Sequence, residues 1–271
     1  MTITQDARPD VSYLDIQAAV GITKHMGGFQ ATDELLSLCH IGQAQEVLNV
    51  GCGIGVGPAY IARTYPCRVV GVDISEQMIA WSRQRAREEK VDDRVKFQAA
   101  DVQDLPFESN RFDAVLVESV LAFVEDRQRA LRECIRVLKP GGYVGLNETI
   151  WLTPPPPEMV RRTRAIVGPL DVPLKETWEA IWAGSGLEER VLSCHSVEGR
   201  SEIRDRIQWV GWRWALRGFY RLARLYLSSP AARQSIKDQM STPPEAIEYF
   251  GFMLLTGRKA ASATLIDAII R

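Results

Sequence analysis

EVLNVGCGIGVG, residues 46–57, decides the fold of this 271-residue chain. Val47, Leu48 and Val50 form the short apolar run of a strand covered on both faces, as a central parallel strand is. Gly51, Gly53, Gly55 and Gly57 follow at alternate positions, so the backbone can turn sharply and approach a ligand where a Cβ would collide. Residues 54–64 then read as a helix, whose free N–H groups point back into the turn. The spacing excludes two ligand fingerprints. A dinucleotide turn needs glycine at the sixth position counted from Gly51, which is Val56, and a P-loop needs Gly-Lys-Ser/Thr, which is absent.

Further segments follow in order. RVVGV (68–72) is a second strand ending in Asp73, 22 residues after Gly51. A carboxylate at that tip can accept hydrogen bonds from both hydroxyls of a ribose, and Asp73 equally fits a cap for a helix over 75–88. Ile74 and Met78 fit an apolar wall for a nucleoside base, or ordinary core. A third strand at 95–99 runs to Asp101-Val102 and Leu105-Pro106-Phe107. Arg111-Phe112-Asp113 opens a fourth strand, AVLV, ending at Glu118-Ser119. An amphipathic helix over 126–138 is stopped by Lys139-Pro140-Gly141-Gly142, which turns the chain into a fifth strand, YVGLNE (143–148).

The G-x-G-x-G turn, GVDIS (71–75), LPF (105–107) with FD (112–113), and RVLKPGG (136–142) together resemble the class I S-adenosylmethionine-dependent methyltransferases. The likeness is to the subgroup of ubiquinone- and menaquinone-biosynthesis and small-molecule methyltransferases, and it spans 46–148. It implies an α/β fold: a Rossmann-like seven-stranded sheet with its last strand antiparallel, helices on both faces and a helical cap over the carboxyl edge. It also implies S-adenosylmethionine as cofactor and S-adenosylhomocysteine as product. By that resemblance Asn49, Gly51, Cys52 and Gly53 line the cofactor turn, and Asp73 with Ile74 and Met78 meets ribose and adenine. Asp101 and Val102 face the adenine amino group, and Glu118 lines the methionine end. Two positions depart from the family pattern. Asn49 stands where the family carries an acid, keeping an acceptor and donors but losing the charge. Leu121-Ala122-Phe123 replaces a histidine pair, which removes a histidine base there and makes the acceptor's surroundings more apolar.

In that topology ERVLSCHSV (189–197) suits the sixth strand and FGFMLLTGR (250–258) the antiparallel one. Long segments at 151–185 and 199–249, with an N-terminal arm at 9–40, then emerge at the carboxyl edge and roof the cofactor site. The chain divides into an N-terminal helical lid (1–44), a cofactor-binding core (45–150), a cap insertion after strand five plus a helix (151–187), and the remaining strands (188–271) with a second cap insertion at about 199–249. Residues 203–227 read as one long helix with arginines at 204, 206, 213, 217, 221 and 224 against the single acid Asp205. Its aromatics are Trp209, Trp212, Trp214, Phe219, Tyr220 and Tyr226. Such a helix serves either as a cap or as peripheral contact with a membrane surface. An aromatic-lined cap implies an acceptor with substantial apolar surface.

A sulfonium methyl group is already activated, so an enzyme of this kind must bring a nucleophile in line at about 3 Å and exclude water. A base is needed only if the attacking atom holds a proton. Candidates are His25 in the loop TKHMGG (23–28), where Gly27 and Gly28 permit a hinge, Tyr13 on the first helix, and Glu148 at the tip of strand five. His40 and His195 read as structural residues. The expected reaction is methyl transfer to a small, largely apolar acceptor through oxygen, carbon or nitrogen. Alternatives are a phospholipid or amine N-methyltransferase at a membrane, and a cofactor-binding protein without catalysis.

Composition sets bounds on partners and compartment. Lys plus Arg number 33 against 34 Asp plus Glu, a net charge of −1, so no global field favours nucleic acid. The polar start MTITQDARPD lacks the apolar core of a signal peptide, and no run approaches the roughly 18 apolar residues of a spanning helix. Cysteines at 39, 52, 67, 134 and 194 form no C-x-x-C pair, which fits neither a disulfide framework nor a zinc site and suits a reducing cytoplasm. Cys52 and Cys134 read as a small turn residue and a helix-face core residue rather than as metalloid ligands.

Overall fold

Val47, Val69, Ala114 and Leu116 alternate along their strands with Leu48, Val50, Val70, Val72, Val115 and Val117, and both sets are buried. A sheet with two buried faces is what near-continuous apolar strands require. The computed structural model describes residues 11–23, 25–42, 45–167, 171–197, 207–240 and 244–261. Its strands are β1 (Glu46–Val50), β2 (Arg68–Asp73), β3 (Val95–Ala99), β4 (Phe112–Glu118), β5 (Leu138–Trp151), β6 (Glu188–Ser196) and β7 (Phe250–Arg258). They form one sheet in the order β3-β2-β1-β4-β5-β7-β6. Pairing is parallel up to β5, and β7 runs antiparallel between β5 and β6. This is the Rossmann-like arrangement expected.

Helices cover both faces. On one side α2 (Gly28–Leu38), α3 (Val56–Thr64) and α4 (Glu76–Glu88) bury Leu35, Leu36, Ile61 and Ile79. A Cβ at Gly145 on β5 would lie 2.6 Å from Cys39 Sγ, so glycine lets the end of α2 sit directly on the sheet. On the other side α5 (Arg127–Val137) and α7 (Lys175–Ala183) contribute Leu131, Val137, Trp178 and Trp182. The cap consists of α1 (Tyr13–Val20), α6 (Pro157–Val167), α8 (Trp212–Ser228) and α9 (Pro230–Met240).

Three local outcomes differ from the sequence expectation. The fifth strand begins at Leu138, straight off α5, and passes through 139–142 as an irregularity before Tyr143 pairs Ala114. The strand-five insertion divides. Its helix α6 stands beside α1 and α9, whereas α7 lies under the sheet with Trp178 and Trp182 fully buried and Trp182 Nε1 donating to Thr256 O at 3.1 Å. The arginine-rich stretch is two pieces, not one helix. A helical turn at 207–210 ends at Gly211 (φ +84°), a left-handed break after which α8 begins, while 203–206 lies outside the described residues.

Candidate active site

The glycine turn is held by one main-chain and one side-chain hydrogen bond to β2. Gly51, Gly53 and Gly55 take φ of +68°, +53° and +78°, and a Cβ at Gly51 would stand 2.1 Å from Val120 Cγ2. Cys52 N donates to Val72 O (2.9 Å), and Gly53 N donates to Asp73 Oδ2 (2.9 Å). The other carboxylate oxygen, Asp73 Oδ1, accepts from Ser75 N (2.9 Å). The cap of α4 is Ser75, whose hydroxyl accepts from Met78 N, so Asp73 ties the glycine turn to the helix entry instead of capping it. Burial pushes the Asp73 carboxyl up, against the pull of its two N–H donors. Each oxygen keeps a lone pair for a further donor.

The flanking residues fall into different settings. Ile74 is 74% exposed beside the carboxylate, while Met78 is buried with Ile54, Val56, Trp209, Val210 and Trp214 beneath the cap. Asp101 turns its own loop, accepting from Gln103 N at 2.8 Å, and Val102 joins the core. Asn49 is buried on β1, and the Cβ position at Gly57 lies 3.6 Å from its Nδ2 and 3.7 Å from Glu118 Oε2. Gly57 is in the first turn of α3, where a negative charge is favoured by the helix dipole. Glu118, on the neighbouring strand, thus brings a carboxylate to the same helix start that Asn49 approaches without charge.

Around Glu118 the fold assembles a buried polar cluster. Thr32 Oγ1 donates to Glu118 Oε1 at 2.8 Å and lies 3.3 Å from His25 Nε2. Asn147 Nδ2 donates to Met26 O at 2.9 Å and stands 3.2 Å from His25 Nδ1. His25 Nδ1 also lies 3.1 Å from Met26 O, so each ring nitrogen has a polar neighbour in the protein. His25 lies between α1 and α2 as expected, but its ring is boxed in, with only 5% of the side chain exposed and an edge-on contact to Trp209 at 4.2 Å. Both of its nitrogens are spoken for within the protein.

Glu148 has a different setting. It lies inside β5 rather than at an open tip, and it is wholly buried. Its Oε1 accepts from Val120 N (3.1 Å) and Leu121 N (2.9 Å), whereas Oε2 has no partner among the described residues. Burial pushes its carboxyl up to about 7 despite those N–H donors. Next to its partner Val120, the Ser119 hydroxyl is also buried without a partner, on a residue with φ +57°. Beyond, Ala122, Phe123, Val172 and the stacked pair Trp151 and Phe250 (4.2 Å) form an apolar cluster.

Tyr13 lies in the cap, and His40 and His195 pack against aromatic rings. Tyr13 opens α1, a helix that packs through Ile16 and Val20 on Leu222, Leu225 and Ile236 of α8 and α9. His195 stacks on Phe252 and lies 3.8 Å from Glu34, and His40 meets Tyr143 edge-on. Cys52 and Cys134 lie in core clusters on opposite sheet faces, where burial pushes the Cys52 thiol well up and that of Cys134 up to about 12. No grouping among the described residues could hold a metal ion. Sequence reading passed over Thr32, Asn147 and Arg85, and gave Trp209 only a place on the cap helix. The buried Arg85 donates to Ile54 O (3.1 Å) and Val210 O (3.0 Å), pinning the glycine turn to the cap, and it lies 4.3 Å from the Trp214 ring. A signal for it existed, since Arg85 shares the inward face of α4 with Met78, Ser82 and Ala86.

Residues 48–146, from β1 into β5, match the family model described as a methyltransferase domain. This core is a class I methyltransferase domain. Methyltransferase GfsG of Streptomyces halstedii is 32% identical over 142 residues, covering 52% of this chain and 49% of that protein. Phosphoethanolamine N-methyltransferase 1 of Triticum aestivum is 34% identical over 122 residues, covering 45% of this chain and 24% of that one. The chain thus spans about half, or less, of the length of these curated relatives. The crystal structure of the 4+2 cyclase SpnF matches 92% of this chain and 93% of its own with a TM-score of 0.69 at 22% identity, a likeness of fold. A methyltransferase domain of this kind takes its methyl group from S-adenosylmethionine, and the residues present fit that cofactor. The positive-φ glycines bring the turn against Val120, Thr23 and Ser82 with no room for a Cβ, Asp73 retains acceptor capacity for ribose hydroxyls, and Glu118 sets an anion beside the α3 N-terminus.

Proposed function

We propose that this chain transfers a methyl group from S-adenosylmethionine to a small, largely apolar acceptor bearing an oxygen, carbon or nitrogen nucleophile. The observation that carries the reading is the wall beyond the β4 and β5 tips. There Glu148 Oε2, within β5 and without a partner among the described residues, precedes an apolar run of Leu121, Ala122, Phe123, Trp151 and Phe250. An apolar wall orients an apolar acceptor and keeps water from the sulfonium. Bound there, S-adenosylmethionine supplies the activated methyl group, and the chain's part is to hold the nucleophile in line. Of the candidate bases, Glu148 has a free oxygen and a carboxyl pushed up to about 7, suited to taking a proton near neutrality. His25, with both nitrogens engaged, acts as a positioning residue for Glu118 and the loop above the turn.

The test is transfer of labelled methyl to a panel of hydrophobic phenols, with phosphoethanolamine alongside. Label on the phenols is expected. The rate should rise as pH climbs through about 7, where Glu148 loses its proton, and Glu148→Gln should flatten that rise and lower kcat about 100-fold. A Glu148→Gln enzyme with an unchanged profile would remove Glu148 from the reaction. A phospholipid or amine acceptor is the second reading, supported by the sequence likeness to phosphoethanolamine N-methyltransferase 1, and label on phosphoethanolamine alone would select it. Cofactor binding without transfer to any acceptor would leave a binding protein.

A further inference from the structure

Helix α8 has two faces, and among the described residues only one has a partner. Trp214, Ala215 and Gly218 are buried, and Gly218 lets α8 approach so closely that a Cβ there would stand 2.3 Å from Ile22 Cδ1. The opposite face carries Trp212, Leu216, Phe219, Tyr220 and Leu227, exposed by 65%, 64%, 52%, 71% and 76%. At 100° per residue these five, with Ala223, fall within one stripe about 100° wide along the whole helix. Scattered apolar side chains at a surface need no explanation, but a continuous aromatic stripe is an interaction surface. Arginine borders it on one side: Arg213, Arg224 and Arg217 follow in angular order, and α8 contains no acid. Arg217 pairs with Glu88 at 3.0 Å, whereas among the described residues neither Arg213 nor Arg224 meets a carboxylate.

We infer that the outer face of α8 docks on an anionic lipid bilayer, with Trp212, Phe219 and Leu227 entering the interface and Arg213 and Arg224 meeting headgroup phosphates. The charge selects this occupant. An apolar stripe with a purely cationic border, on a helix whose far side is already packed on its own domain, matches an interfacial helix lying in the plane of a negatively charged surface. A second copy laid antiparallel on the same stripe would instead set Arg213 of one chain near Arg224 of the other, like charge against like. No helix among the described residues is long and apolar enough to cross a membrane, so the contact is peripheral. The inner face of the same helix reaches the cofactor turn through Trp214, Arg85 and Ile54, so docking would bear directly on the cap.

The experiment is cosedimentation of the full chain with vesicles of phosphatidylcholine containing phosphatidylglycerol, against phosphatidylcholine alone. Binding to the mixed vesicles at low salt, lost at high salt, is expected. Arg213→Gln with Arg224→Gln should weaken it roughly 20-fold. Leu216→Glu with Phe219→Glu should abolish it while S-adenosylhomocysteine binding, measured by calorimetry, stays intact. Brominated lipid should quench tryptophan fluorescence in the native chain and markedly less in Trp212→Phe, which keeps an apolar side chain and reads contact without disturbing the fold. No binding to the mixed vesicles, binding indifferent to the Leu216→Glu and Phe219→Glu pair, or a concentration-dependent dimer that the same pair dissolves would each overturn the proposal. None of these readouts depends on methyl transfer.

Discussion

Helix α7 buries Trp178 and Trp182 completely, whereas α8 leaves Trp212, Phe219 and Tyr220 in water. Both helices follow a sheet strand, and each is rich in aromatics. In α7 the two tryptophans are four residues apart, on one face, and that face lies on the sheet with Leu187, Met253 and Leu255. In α8 most of the aromatics share the outward side, and the face turned inward is the one with small residues, Ala215 and Gly218, next to Trp214. Small residues permit close approach and large ones prevent it, so the helix settles with its bulk outward. Aromatic content announces apolar surface; its spacing around the helix determines which part of that surface the fold uses.

The contrast can be broken by mutation, beginning where the effect is largest. Trp178→Ala should cost about 3–5 kcal/mol, because it opens a cavity in a fully packed core, and urea unfolding would show it as a large drop in midpoint at constant slope. A loss below about 1 kcal/mol would mean that α7 is not part of the core. Arg85→Ala should cost about 2 kcal/mol, since the carbonyls of Ile54 and Val210 lose a buried donor and Trp214 loses the guanidinium beside it. It should also loosen α8 selectively, which limited proteolysis would register as faster cleavage near Gly211. Trp212→Ala should change stability by no more than about 0.5 kcal/mol in the absence of vesicles. A larger loss would place Trp212 in the packing and bring the two helices back into one class.

The core was legible because its signals are local. The strand at Glu46–Val50, the glycines after it and Asp73 at the end of β2 are joined by bonds between close segments, such as Gly53 N to Asp73 Oδ2. Phe250–Arg258 was readable from its apolar run, and it runs antiparallel next to β5 as the topology requires. The cap was less legible. Gly211 carries no strong signal against helix by itself, and its left-handed φ emerges only when the flanking pieces pack in different directions. Glu148 looked like a strand tip because the apolar pattern ends near it, yet β5 continues to Trp151 through pairing with β7.

By itself the sequence determined where the core strands lie along the chain, the glycine turn after β1 and the carboxylate beside it, since short apolar runs and the steric freedom of glycine act within a few residues. Only the tertiary structure decided that Glu118 comes beside Asn49 at the start of α3, that Thr32 and Asn147 close around His25, and that Glu148 Oε2 has no partner among the described residues. Those residues lie as far as 122 positions apart in the chain, as Asn147 is from His25. Strand register and helix docking bring them within 3–4 Å, and no local pattern encodes such a distance.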